Sequence, residues 1–257
     1  MRLDVYLFQN NFVKSRQKAK SLIEGGNVSI DGTVITKASY EVDALCEHNI
    51  SVNDDCIYVS RGGLKLEAIL KCANIDVNNL VCLDIGASTG GFTDCLLKSG
   101  AKKVFSVDSG TNQLDISLRN NDKVVSIENF NARNIDIETI GTLVDIITID
   151  VSFISQTLIM PNALKLLNDN GVYISLIKPQ FEVGKANIGK GGIVKNKHAV
   201  LSAIDNIVSF ADASSFICTS FIKSPILGGD GNTEYLAVFS RNGKQISYNE
   251  IKKTVLN

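Results

Sequence analysis

Apolar residues recur along this chain with two different periods. Over residues 2–25, Leu3, Tyr6 and Leu7, then Ala19, Leu22 and Ile23, repeat at three- and four-residue intervals. That is the period of a helix with one apolar face. Ser15 is placed to cap the second helix, and Gly25-Gly26 ends it. Val28-Ser29-Ile30 and Val34-Ile35 flank Asp31-Gly32, a dipeptide suited to a tight hairpin. The opening therefore reads helix–helix–hairpin. Beyond it, the stretch YVSRGGLKLEAIL reads as a helix. The runs Val81–Ile85, Lys103–Asp108, Val124–Glu128, Asp145–Asp150 and Val172–Lys178 follow, nearly all apolar, as strands covered on both faces are. Helical stretches fall at Thr93–Ser99, Leu158–Leu167 and Ala199–Phe210, and Phe216–Ile222 and Glu234–Ser240 close as strands. The alternation predicts an α/β fold with a doubly wound, mostly parallel seven-stranded sheet, preceded by a small α+β unit. The expected division is 1–58, a connector at 59–63, and 64–257.

Composition narrows the class. A 257-residue chain with 44% hydrophobic and 21% charged residues has the make-up of a globular protein with a real core, which excludes disorder. A net charge of −1 excludes a uniformly basic nucleic-acid wrapper but not a local basic patch. Such a patch opens the chain: Arg2, Lys14, Arg16, Lys18, Lys20 and Lys37 face only Asp4, Glu24 and Asp31 over residues 1–40. His48 and His198 are too few for a His-rich metal site, and the six cysteines form no CxxC pair, so no metal is expected and the thiols are read as reduced. Asp4 and Gln9-Asn10-Asn11 interrupt any secretory signal, and no apolar run approaches the ~18 residues of a membrane span. The expectation is a cytoplasmic protein with no membrane partner.

The first strand ends in Asp84-Ile85-Gly86-Ala87-Ser88-Thr89-Gly90-Gly91-Phe92. Glycines at a first strand-to-helix turn let backbone approach a ligand closely. Ser88 occupies the second glycine position of a dinucleotide fingerprint, which argues against a nicotinamide-dependent oxidoreductase. D-x-G-x-x-x-G-G is instead similar to the loop of S-adenosylmethionine-dependent methyltransferases. Asp108 ends the second strand 22 residues after Gly86, where a carboxylate accepts ribose hydroxyls. Asn131, after the third strand, is a candidate for reading adenine.

Four charged residues are read together. Asp150 and Lys178 end neighbouring strands of the predicted sheet, whose carboxyl ends line the ligand crevice. An antiparallel last strand brings Glu234 to the same rim, and Lys65 lies on the helix before the first strand. Singly, each has an ordinary structural reading. Jointly they form a Lys–Asp–Lys–Glu set around one crevice.

Two resemblances follow from these residues. RLDVYL…SRQKAKSLIEGGNVSIDGTVITKASYEV resembles the S4 RNA-binding domain. The Lys–Asp–Lys–Glu set resembles the catalytic tetrad of FtsJ-type ribose 2′-O-methyltransferases. YVSRGGLKL, CLDIGASTGGFTD, LRNNDKV, DVSFIS, IKPQFEVGK, KGGI and GNTEY further resemble the TlyA family, which joins the two domains. The resemblance implies methyl transfer from S-adenosylmethionine to cytidine riboses of ribosomal RNA. The lack of a long N-terminal extension points to the shorter type, whose members target large-subunit RNA. Some members carry a haemolysin label. A non-catalytic ribosome-assembly factor and, more remotely, a haemolysin are the competing readings. The family's Asp-Val-Gly after the second strand is Asp108-Ser109-Gly110 here, which touches the loop but keeps the carboxylate.

The chemistry needs such a set. A ribose hydroxyl is a poor nucleophile, and methyl transfer is an in-line displacement in which positioning alone is worth ~7–11 kcal/mol. Lys178 is the candidate base, Asp150 orients it, and Glu234 holds Lys65 and the hydroxyl. A softer alternative has the lysines only stabilise the developing alkoxide. Residues 183–204 carry Lys185, Lys190, Lys195 and Lys197 with four glycines, read as a mobile loop that meets RNA phosphate until Asp205 restores an acid. RNA contact is expected from the basic residues of 1–40, Arg61, Lys185 and Lys190. The partner is ribosomal RNA or a ribosomal subunit.

Overall fold

A computed structural model describes the chain except Lys14, Gly25, Ala44, Leu45 and Asp54–Cys56, together with the side chains of Gln17 and Ser21. The Lys14 assignment, Gly25 and Cys56 therefore lie outside the described residues. The chain divides into two compact units, Met1–Arg61 and Gly62–Asn257.

In the first unit, α1 (Leu3–Gln9) and α2 (Arg16–Glu24) pack on a sheet of β1 (Val28–Ile30), β2 (Thr33–Val34) and β3 (Ile50–Val52), in the order β2-β1-β3. Ser15 Oγ accepts from Lys18 N at 3.1 Å, the capping bond the sequence predicts. The helical periodicity of Leu3, Leu7, Ala19, Leu22 and Ile23 is the core face, closed by Val28 and Ile30. Asp4 is buried among them, and both its oxygens bind guanidinium: Oδ1 to Arg2 Nε at 2.9 Å, Oδ2 to Arg16 at 2.9 Å. The pairing strand β3 was not expected, because Ile50-Ser51-Val52 is too short to announce itself.

The second unit opens with α3 (Gly62–Cys72), so helix begins inside the stretch taken for connector. Its sheet holds β4 (Val81–Ile85), β5 (Lys103–Val107), β6 (Val124–Ile127), β7 (Val144–Ile149), β8 (Leu167–Ile177), β9 (Ile217–Lys223) and β10 (Tyr235–Ser240). Their order is β6-β5-β4-β7-β8-β10-β9, and only β10 runs antiparallel to its neighbours. The strand order reverses between β4 and β7, so a crevice opens there at the carboxyl ends. Helices α4 (Gly91–Lys98) and α9 (Lys197–Ala213) are joined by the shorter α5 (Ile116–Arg119), α6 (Ile137–Ile140), α7 (Met160–Ala163), α8 (Pro179–Glu182) and the terminal α10 (Tyr248–Leu256). Along α9, Val200, Ala203, Ile204, Ile207 and Ala211 bury at helical spacing.

Two expected elements differ. The helix expected over Leu158–Leu167 is three short turns, because Pro161 has no N–H to continue a helix into α7. β8 begins at Leu167, not Val172, its polar start Asn168-Asp169-Asn170 hidden in a strand irregularity beside Val144.

Candidate functional site

The loop between β4 and α4 is built from the inside. Asp84 is wholly buried; its Oδ2 accepts from Thr93 Oγ1 at 2.7 Å and its Oδ1 from Thr148 Oγ1 at 2.9 Å. Burial raises its pKa to about 6, the two threonine bonds oppose this, and the charge of Asp150 adds to it. Asp84 was expected on the ligand side. Its oxygens are instead spent beneath the loop, which they hold. Gly86 has φ +82° and a Cβ there would lie 2.2 Å from the Asp150 carbonyl oxygen, so the backbone of the loop rests directly on the end of β7. Ala87, Gly90, Gly91 and Phe92 are buried, and the Phe92 side chain points inward; Gly86, Ser88 and Thr89 reach the surface.

Three successive amides of the loop donate internally: Gly86 and Ala87 to Val107 O at 2.8 and 3.1 Å, Ser88 to Asp108 Oδ2 at 2.7 Å. A pyrophosphate-binding loop turns such N–H groups toward its anion. This loop does not, which disfavours a dinucleotide. Asp108 Oδ1 accepts from Gly110 N at 2.7 Å, so each oxygen keeps a lone pair for a further donor. Asn131 is exposed and its Oδ1 caps the turn Ala132–Asn134 through Arg133 N. The cradle, free of side chains at Gly86, and the half-buried carboxylate of Asp108 fit a nucleoside carrying an amino-acid end.

The four charged residues form two ion pairs at the adjacent ends of β7, β8 and β10. Lys178 Nζ lies 2.5 Å from Asp150 Oδ1 and donates to Ser152 Oγ at 3.1 Å. Asp150 Oδ1 accepts no well-aligned hydrogen bond, so that contact is electrostatic. Lys65 Nζ donates to Glu234 Oε2 at 2.5 Å, both side chains nearly sealed at 11% and 3% exposure. Tyr235 pairs with Ile177, which sets Glu234 beside Lys178 in register. Lys178 itself follows β8 and stands at the N-cap position of α8, its side chain turned to Asp150 and Ser152 rather than to the helix.

Sequence reasoning missed the supports. A Cβ at Gly228 would come within 2.5 Å of Glu234 Oε1, so a side chain there would press on the sealed carboxylate. Asn232, 2% exposed, accepts from Val194 N and donates to Gly192 O, both at 2.9 Å. Asn232 thereby bridges Gly192 and Val194 within the glycine-rich basic loop, which ends at Asn196, where α9 starts. Lys197 belongs to α9 and donates to Leu256 O. Phe153 has φ +64° and is 91% exposed, its ring 4.9 Å from Phe181. The lone DVSFIS and GGDGNTE phrases carried these residues without a periodic signal.

Of the basic residues, Lys37, Lys185 and Lys190 are exposed and Arg61 is half-buried. Arg2 and Arg16 are half-exposed but committed to Asp4, and Lys20 lies 3.7 Å from Glu24. Lys18 is half-buried. Among the described residues no cluster of His, Cys, Asp and Glu could hold a metal, and no helix is long and apolar enough to cross a membrane. Cys82, Cys95 and Cys218 are buried, and burial pushes the Cys82 and Cys218 thiols to about 12.

This sheet order, with one antiparallel strand and the Gly86 loop over Asp150, defines a methyltransferase of the Rossmann-like class. The FtsJ-like methyltransferase family matches residues 58–241, and the S4 domain matches residues 1–44. The chain belongs to the TlyA family, in which these two domains are joined. It is 44% identical over 240 residues to hemolysin A of Brachyspira hyodysenteriae, covering 93% of this chain and 99% of that one. It is 37% identical to the 16S/23S rRNA (cytidine-2′-O)-methyltransferase TlyA of Mycobacterium tuberculosis, covering 91% and 87%. A solved structure from Streptococcus thermophilus, named for a hemolysin, superposes with a TM-score of 0.79 at 37% identity over 100% of this chain and 94% of that one.

Proposed function

We propose that the protein methylates the ribose 2′-oxygen of a cytidine in ribosomal RNA, in the large subunit, using S-adenosylmethionine in the cytoplasm. The observation that carries this reading is the pairing of Lys178 with Asp150 and of Lys65 with Glu234 at the strand ends beside the Gly86 loop. Bound there, S-adenosylmethionine supplies an electrophilic methyl group on a sulfonium. The loop from Gly86 to Gly91 and the spare lone pairs of Asp108 hold its amino-acid and ribose ends, and Asn131 is the candidate that reads adenine.

Lys178 Nζ is the group that receives the proton of the 2′-hydroxyl. Asp150 and Ser152 hold that nitrogen in place, and afterwards Asp150 neutralises the ammonium. Glu234 and Lys65 form a buried pair whose geometry fixes the far wall. Positioning supplies the larger share of the rate, as it does in displacement reactions generally. Phe153 offers an exposed ring beside this rim for the target base. The unit spanning residues 1–61 docks the enzyme through phosphate contacts from Arg2, Arg16, Lys18, Lys20, Lys37 and Arg61, and Lys185 and Lys190 of the second unit make phosphate contacts of their own.

Digestion of modified RNA to nucleosides tests the reaction. The expected product is 2′-O-methylcytidine. A methylated base instead would overturn the reading.

A further inference from the structure

Glu182 ends α8, four residues beyond Lys178, and it is half-buried. Both its oxygens reach back to the loop that follows β7. Ser155 Oγ donates to Oε2 at 2.6 Å, and Gln156 N donates to Oε1 at 3.0 Å. Gln156 is in turn buried against β8: its Nε2 donates to Leu176 O at 3.0 Å, and its Oε1 accepts from Ser175 Oγ at 2.5 Å. The same loop carries Ser152, which holds Lys178, and Phe153, whose ring meets Phe181 of α8. Two segments that present reacting groups, one after β7 and one after β8, are thus stitched together a short distance behind those groups.

A charged carboxylate gains little from burial, and burial here pushes Glu182 upward while its two hydrogen bonds pull the other way. Chain connectivity alone does not require this acid. The bonds that retain it are those to the loop. We infer that Glu182 is a positioning residue for the methyl transfer proposed above: it locks the Asp150–Ser155 loop to α8 and so sets where the Lys178 amine stands. Glu182 also lines an open cavity of about 500 Å³ together with Asn187, Asn196, His198 and Asn206.

The test uses the full-length protein as wild type, Glu182→Ala, Glu182→Gln and Ser155→Ala. Glutamine preserves both contacts, since its carbonyl accepts from Gln156 N and its amide donates to Ser155 Oγ. Two readouts are taken: lysine acetylation by trace acetic anhydride, followed at Lys178 by mass spectrometry against exposed Lys102, and methyl transfer to ribosomal RNA. In Glu182→Ala the Lys178 labelling rate rises severalfold relative to Lys102. Its kcat falls by about tenfold, in line with the sensitivity of displacement to small misplacements, while the KM for S-adenosylmethionine holds. Glu182→Gln stays near wild type and Ser155→Ala falls between. Unchanged Lys178 labelling in Glu182→Ala, or a loss of activity accounted for by a lower folded fraction, overturns the inference. Absence of methyl transfer by the wild type would reject the functional reading, and the labelling comparison would still decide the role of Glu182.

Discussion

Gly86 and Asp84 tie conformation to chemistry at the residue scale. Gly86→Ala forces a side chain into a left-handed backbone worth about 1–2 kcal/mol of strain, and drives a Cβ against the Asp150 carbonyl. Equilibrium dialysis with labelled S-adenosylmethionine is expected to find binding lost by well over tenfold while the S4 unit stays folded. Asp84 makes a prediction of opposite character. Its folded pKa of about 6 lies above the unfolded ~3.9, so the native state binds the extra proton. Stability is therefore greatest below pH ~4 as far as this group is concerned, and declines as pH rises to about 6, by ~3 kcal/mol in all. Asp84→Asn should flatten that part of the stability–pH curve in thermal melts; an unchanged slope would remove Asp84 as its source. The glycines and Asp84 were legible because their spacing is local. The inward direction of Asp84 was not, since the partners Thr93 and Thr148 stand 9 and 64 residues away.

Elements explain why the charged set could be read and its supports could not. Apolar runs announced every strand of the large sheet, and the antiparallel β10 follows once Glu234 is asked to meet Lys178. β3 escaped because three residues are too few to show a period, and α10 went unread although Ile251 and Val255 repeat at helical spacing and Ser247 and Glu250 form a capping box. The Lys65–Glu234 pair is an element-level joint between α3 and β10. Lys65→Met leaves a sealed carboxylate unpaired, at a cost of about 3–5 kcal/mol. Combining it with Glu234→Leu should recover most of that stability in denaturant melts yet restore no methyl transfer; recovered activity would make the pair merely structural. In the small unit, Asp4→Ala frees Arg2 and Arg16 from one anchor between α1 and α2. A filter-binding assay is expected to give weaker ribosomal RNA affinity, with S-adenosylmethionine binding unchanged.

For the whole molecule, one unit carries basic residues on helices joined by Asp4, and the other carries a methyl-transfer crevice at the turning point of its sheet. Both were legible as classes from motif spacing. What could not be read was the network behind the crevice, because Ser152, Glu182 and Asn232 act through contacts that close only in three dimensions. The proposed reaction requires Lys178 to take part in transfer to a ribose of RNA. Methyl transfer from labelled S-adenosylmethionine to purified ribosomal subunits and to free ribosomal RNA, with Lys178→Ala in parallel, tests this most directly. The expected result is label on RNA that survives base and is lost in the variant. Label retained at the wild-type rate in Lys178→Ala, or no label on any RNA despite cofactor binding, would contradict it.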